Sequence, residues 1–232
     1  MKHYLITGTT SGIGQAVASG IEAVADKSGV ITPIFTSSMW RQSCDFSDLD
    51  AVTKIVAEWA IERGPFDGVF HAAGVAKVAP LRLTSATDWA EAMMAATSAF
   101  GILRAVSAKG IMKDGGSVVL MSSVAAQRGA PGMCAYSAGK GAIEALTRSA
   151  AVELAPRGIR VNAIAAGAVR TPMHDRITSR MTQPAQDGYV AAHPLGFGSV
   201  EAVRDAALYL LGDASKWTTG TVMVVDGGFL AK

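Results

Sequence analysis

The sequence predicts an α/β fold built on a doubly wound, three-layer parallel sheet, with all 232 residues in a single domain. Three observations carry that expectation. Short apolar runs alternate with segments of helical period along the whole chain. The first run, Tyr4-Leu5-Ile6, feeds directly into the glycine turn Thr7-Gly8-Thr9-Thr10-Ser11-Gly12-Ile13-Gly14. Residues 116–121, GSVVLM, are nearly all apolar, the pattern of a strand covered on both faces.

The first strand and turn are followed by a helical pattern through Ala25. A strand, a glycine turn and a helix start make an anion site, because unpaired backbone N–H groups and the positive end of the helix dipole both face the turn. The spacing around Gly8, Gly12 and Gly14 is one form of the dinucleotide turn, and no Lys-Ser or Lys-Thr follows it as a nucleoside-triphosphate loop requires. Residues 30–35 read as a second strand, weakened by Pro33. Where NAD-binding folds place a carboxylate for the ribose hydroxyls, this chain has Thr36, with Ser37, Ser38 and Arg41 following. Without that carboxylate a 2′-phosphate is not repelled, and Arg41 can pair with it, which favours NADP over NAD; the alternative is a solvated loop arginine.

Asp45 is a candidate acceptor for an adenine amino group, or a cap for the helix expected over residues 49–63, a role open also to Ser47 and Asp48. Residues 66–70 form the next strand, and His71-Ala72-Ala73-Gly74 follows at the carboxyl edge, where open α/β sheets bind ligands; this makes Ala73 and Gly74 cofactor candidates. His71 is expected to be structural, since no orienting carboxylate lies near it in sequence. Residues 88–109 predict a long helix, apolar nearly all round and therefore covered on two sides, by the sheet and by a second subunit. The strand at 116–121 delivers Ser122 and Ser123 to the carboxyl edge. A helix over 136–154, a strand over 159–165, a helix over 200–212 and a strand over 221–225 complete the rhythm. Residues 172–199 break it, with methionines, prolines and glycines suited to a mobile substrate lid. Met173, Ile177, Met181, Tyr189 and Phe197 are the expected apolar lining, and His174 and His193 are expected on the surface.

The composition narrows the ligand. The formal net charge is +2 with no block of like charge, which argues against nucleic acid or a membrane surface and leaves small metabolites. Cys44 and Cys134 are too few and too far apart for a disulfide framework or a metal knuckle. With no leader before the first strand and no bilayer-length apolar run, a cytoplasmic location is expected.

The chemistry concentrates in residues 122–140, SSVAAQRGAPGMCAYSAGK. Tyr136 and Lys140 stand four residues apart, on one face of a helix. A free phenol titrates near about 10, and each unit of depression needs about 1.4 kcal/mol of phenolate stabilisation, which a neighbouring cation can supply. Such a tyrosine exchanges a proton with an alcohol or ketone.

The ordered set TGTTSGIG, HAAG, Ser123 with Tyr136 and Lys140, AAGAVRTPM and VDGG resembles the short-chain dehydrogenase/reductase family from Tyr4 to Phe229, and its 3-oxoacyl-reductase-like members most closely through residues 194–203 and 217–220. The resemblance implies a seven-stranded Rossmann-type sheet, a nicotinamide cofactor (NADP or NAD), a homo-oligomer and hydride transfer between a secondary alcohol and a ketone. It makes Tyr136 the acid/base, Lys140 the group that lowers its pKa and holds the nicotinamide ribose, and Ser123 the donor to the substrate oxygen. Gly8, Gly12, Ile13 and Gly14 match the pyrophosphate turn, Asp45 the adenine contact, and Val169 and Thr171 the carboxamide contacts. Three departures stand out. The helix after Trp89 lacks the family's relay asparagine, the position falling on Ala96 or its neighbours Ala95 and Thr97. Asn-Asn-Ala-Gly is replaced by His71-Ala72-Ala73-Gly74. The stretch from Phe35 to Cys44 is too short for its usual helix. A cofactor-binding sensor with a decayed relay is the alternative function.

Overall fold

The computed structural model describes residues 2–25, 44–179 and 181–232. The expected second strand, with Thr36, Ser37 and Arg41, lies outside the described residues, as does nearly all of the shortened stretch before Cys44. Among the described residues five parallel strands form one sheet in chain order: β1 (Tyr4–Thr7), β2 (Phe66–His71), β3 (Met112–Ser123), β4 (Arg160–Ala166) and β5 (Val222–Val225).

The pleat sorts side chains between two cores. Leu5, Val69, Val118, Leu120 and Val161 pack beneath α2 (Leu49–Arg63), α3 (Ala86–Ser107) and α4 (Cys134–Leu154). Their sequence neighbours Ile6, Phe70, Val119 and Ile164 pack against α1 (Gly12–Ala25) and α7 (Val200–Leu211). Both faces are covered, which explains why the central strands are apolar without alternation. β3 begins earlier than its apolar run, because Met112 pairs with Phe66 before an irregularity leads into the regular register.

Local chemistry fixes where the helices begin and cross. Asp48, not Asp45, caps α2, its carboxylate accepting from the backbone N–H groups of Asp50 and Ala51. Ser85 and Asp88 form a reciprocal capping box that starts α3 two residues before its expected boundary. Arg157 donates to the carbonyls of Val106 and Ser107 at the other end of α3. α3 and α4 cross closely at Gly139, where an added Cβ would lie 2.3 Å from the Ala92 carbonyl oxygen. Lys140, the next residue, is buried beside this crossing.

Residues 172–199 are more regular than expected. They carry α5 (Pro172–Thr178), capped by the Thr171 hydroxyl on the His174 N–H, and α6 (Gln183–Ala191). The register brings Thr7 beside His71, and Ser123 beside Ala166, so the strand ends assemble one carboxyl edge.

Candidate active site

A cleft of about 590 Å³ opens along that edge, from the glycine turn at one end to α5 and Tyr189 at the other. The turn is built for close approach. Gly8 and Gly12 have left-handed φ values of +75° and +62°. A Cβ at Gly8 would stand 2.9 Å from the Ala72 carbonyl carbon, and one at Gly14 would stand 2.2 Å from the Gly8 oxygen. No acidic residue occupies the first turn of α1, so its positive end faces the cleft uncompensated. A cradle that any side chain would fill, at the start of a 14-residue helix, fits a dinucleotide pyrophosphate. Ile13, Ala73 and Gly74 line the same cleft, as expected.

His71 explains how the altered HAAG segment is held. The Thr7 hydroxyl accepts from the backbone N–H groups of Ala72 and Ala73, at 3.2 and 3.1 Å. Its own proton therefore goes to His71 Nδ1, 2.8 Å away. That leaves the hydrogen on Nε2, which donates to the Ala95 carbonyl at 3.1 Å, with the Ser98 hydroxyl 3.0 Å away. Burial pushes the imidazole down to about 4; the Ala95 bond opposes this and the Lys140 charge adds to it. His71 is thus a neutral buried link joining β1, β2 and α3, which agrees with the structural role read from the sequence.

Ser122 and Ser123 end β3 and point to different tasks. Ser122 donates to Glu144 Oε1 at 3.0 Å, a carboxylate also held by Gln127 at 2.9 Å. Ser123 accepts from the Ala125 N–H at 3.2 Å and hydrogen-bonds the Tyr136 hydroxyl in the cleft. One helical turn on, Lys140 Nζ lies 5.7 Å from the Tyr136 ring centre and donates to the Met121 carbonyl at 2.8 Å. The structure thus brings Ser123, Tyr136 and Lys140 together. It does not show the expected lowering of the phenol: burial pushes Tyr136 up, the Ser123 bond opposes this, and Tyr189 adds to the rise. Burial also pulls Lys140 down, to about 8.

The relay position is apolar. Ala95 and Ala96 are buried and α3 continues without interruption to Ser107. The Ser98 hydroxyl is committed to the Met94 carbonyl at 2.8 Å and to His71, so it does not stand in for the asparagine.

The far wall comes from the segment after β4. Val169 and Thr171 line the cleft, with the Thr171 hydroxyl 3.3 Å from the Val169 carbonyl. Met173, Ile177 and Tyr189 line it as expected, whereas Phe197 packs behind, 4.8 Å from the His174 ring, and Met181 is not part of the wall. His174 and His193 are not surface residues. His193 is buried, accepting from the Ala168 N–H and donating to the Tyr189 carbonyl. Asp45 is also corrected: it is exposed, with Oδ1 engaged by the Ser47 N–H at 2.8 Å and the Ser47 hydroxyl at 2.6 Å, while Cys44, Phe46 and Trp59 reach the cleft. Trp59 was not anticipated; only a tertiary contact brings it there.

A covered parallel sheet, a phosphate cradle at its first strand–helix junction and a Ser–Tyr–Lys set at its carboxyl edge define a dinucleotide-dependent oxidoreductase. The family model described as enoyl-(acyl carrier protein) reductase matches residues 8–230, and the chain belongs to the short-chain dehydrogenase/reductase family. It is 31% identical over 247 residues to the 3-oxoacyl-(acyl-carrier-protein) reductase of Thermotoga maritima, covering 99% of this chain and 98% of that one. Among solved structures, 4-hydroxyisoleucine dehydrogenase complexed with NADH has a TM-score of 0.85 at 25% identity, covering 100% of both chains. A blue fluorescent protein from a metagenomic library, in complex with NADPH, has a TM-score of 0.82 at 25% identity, covering 98% of this chain and 97% of that one. The chain is an NAD(P)-dependent oxidoreductase of this family.

Proposed function

We infer that the chain transfers hydride between nicotinamide and a secondary alcohol or ketone, with Tyr136 as acid/base. The observation that carries this reading is the Ser123–Tyr136 hydrogen bond, with Lys140 one turn away, in the cleft that also holds the glycine cradle. The bound cofactor supplies the hydride. Ser123 donates to the substrate oxygen and fixes it against Tyr136. Tyr136, kept protonated by burial, gives its proton to that oxygen in reduction and takes it back in oxidation. The buried Lys140 cation stabilises the negative charge that develops on the phenol and is the group to hold the nicotinamide ribose. The N–H groups around Gly8, Gly12, Ile13 and Gly14 hold the pyrophosphate, and Val169 and Thr171 hold the carboxamide.

NADP is the favoured cofactor, on the strength of Thr36, Ser37 and Arg41 in the sequence. Residues 172–199 serve as the substrate lid. Their apolar wall, with Met94 and Met133 opposite, suits the carbon skeleton of a hydrophobic ketone. Two free cysteines suit a reducing, cytoplasmic compartment. The exposed Phe100 on α3 and Val152 on α4 suit burial in a dimer or tetramer. Titration with NADPH and NADH, followed by a ketone panel with the tighter cofactor, tests the reading. Tighter binding of NADPH and its oxidation by ketones are expected; tight binding with no hydride transfer across the panel favours the sensor alternative.

A further inference from the structure

Two histidines stand in one aromatic cluster and are treated differently. His193 uses both ring nitrogens, at 3.3 Å to the Ala168 N–H and 2.9 Å to the Tyr189 carbonyl. His174, with its side chain only 11% exposed, uses neither: both nitrogens are buried and without a hydrogen-bond partner in the chain. The nearest acid, Asp175, is 3.7 Å from Nδ1, beyond hydrogen-bonding reach, and its own side chain is 78% exposed. The ring is nevertheless held in place, stacked 6.0 Å from Tyr189 and edge-on to Phe197 at 4.8 Å. It lines the cleft, and Tyr189 beside it is close enough to Tyr136 to raise its phenol. A buried polar group that has no partner in its own fold, yet is fixed in a substrate wall, has the form of a recognition element.

We propose that His174 hydrogen-bonds a second oxygen on the substrate, so that the chain takes hydroxyketones and the corresponding diols in preference to simple ketones. A hydroxyl is the matching group because it both donates and accepts, and neutral imidazole offers one nitrogen of each kind. The apolar side chains of Met173 and Ile177 then cover the carbon skeleton between the two oxygens. This assignment rests on the oxidoreductase reading above and deepens it from ketones in general to oxygen-bearing ones. Sites that hydrogen-bond a substrate hydroxyl reject the analogue lacking it far more strongly than apolar pockets discriminate by size.

The test compares 3-hydroxybutan-2-one and 4-hydroxybutan-2-one with butan-2-one, using the native chain, His174→Leu and His174→Gln, each first shown to bind cofactor as the native chain does. The native chain should favour the better hydroxyketone by about tenfold or more in kcat/KM. His174→Leu should bring that preference to within about twofold, and His174→Gln should restore part of it. Independently, the hydroxyketone should move the imidazole ¹⁵N signal that disappears in His174→Leu, one of four histidine signals in the chain. Hydride transfer without a hydroxyl preference, or a preference that survives in His174→Leu, overturns the assignment and leaves the oxidoreductase reading standing. A moving His174 signal with no turnover of any ketone supports the assignment and contradicts that reading.

Discussion

Lys140 carries the charge on which proton transfer depends, and its burial sets the pH range in which that charge persists. The ammonium is drawn down to about 8, while the Tyr136 phenol is pushed up. Reduction needs the protonated phenol and the charged lysine together, so kcat/KM for a ketone should stay level through neutral pH and fall above about 8. Oxidation begins with the deprotonated phenol and should rise with pH over the same range. Initial-rate profiles in both directions check this, and a reduction rate still level at pH 10 would contradict it. His71 makes a separate prediction about stability. Its value in the folded chain, about 4, lies below the ordinary 6.5, so between those limits the unfolded chain binds a proton that the native chain does not. Stability is therefore full above about pH 6.5 and declines as pH falls towards 4, by about 3 kcal/mol in all. His71→Asn should flatten that part of the profile, read from urea midpoints at pH 7 and 4.5; an unchanged acid loss would show that other groups cause it.

At the scale of elements, the site depends on how closely two helices cross. An alanine Cβ at position 139 would meet the Ala92 carbonyl at 2.3 Å, whereas one at 141, on the same helix, meets nothing within 4 Å. Gly139→Ala should cost roughly 1–3 kcal/mol by forcing α3 from α4. Gly141→Ala should instead gain about 0.5–1 kcal/mol from helix propensity. Thermal or urea unfolding of the two variants decides between packing and propensity. The same contrast shows what was legible in the sequence. β1, the glycine turn, α2 and α4 follow from apolar period and local punctuation, and they stand where the sequence puts them. His174 and His193 were misplaced because their burial comes from Tyr189, Phe197 and Phe229, brought together by packing that no local pattern encodes. Asp45 was misread for the opposite reason. Its carboxylate is satisfied two residues away by Ser47, a local turn that competes with any ligand.

Across the whole molecule, the two cores fix the sheet, and the sheet's carboxyl edge gathers groups from residues as far apart as Gly8 and Tyr189 into one cleft. Ser123, Tyr136 and Lys140 were legible because a strand end and one helical turn suffice to place them. The state of the phenol was not legible, since it reflects burial by the assembled fold. The buried His71 link and the uninterrupted α3 leave this chain without the side-chain amide its relatives' motif supplies, so the proton must travel by way of Tyr136 itself. The most direct measurement is single-turnover hydride transfer to a ketone by Tyr136→Phe beside the native chain, with cofactor affinity measured in both. The account predicts a loss of roughly 10²–10⁴-fold in rate with cofactor affinity little changed. A variant that transfers hydride at the native rate would contradict it.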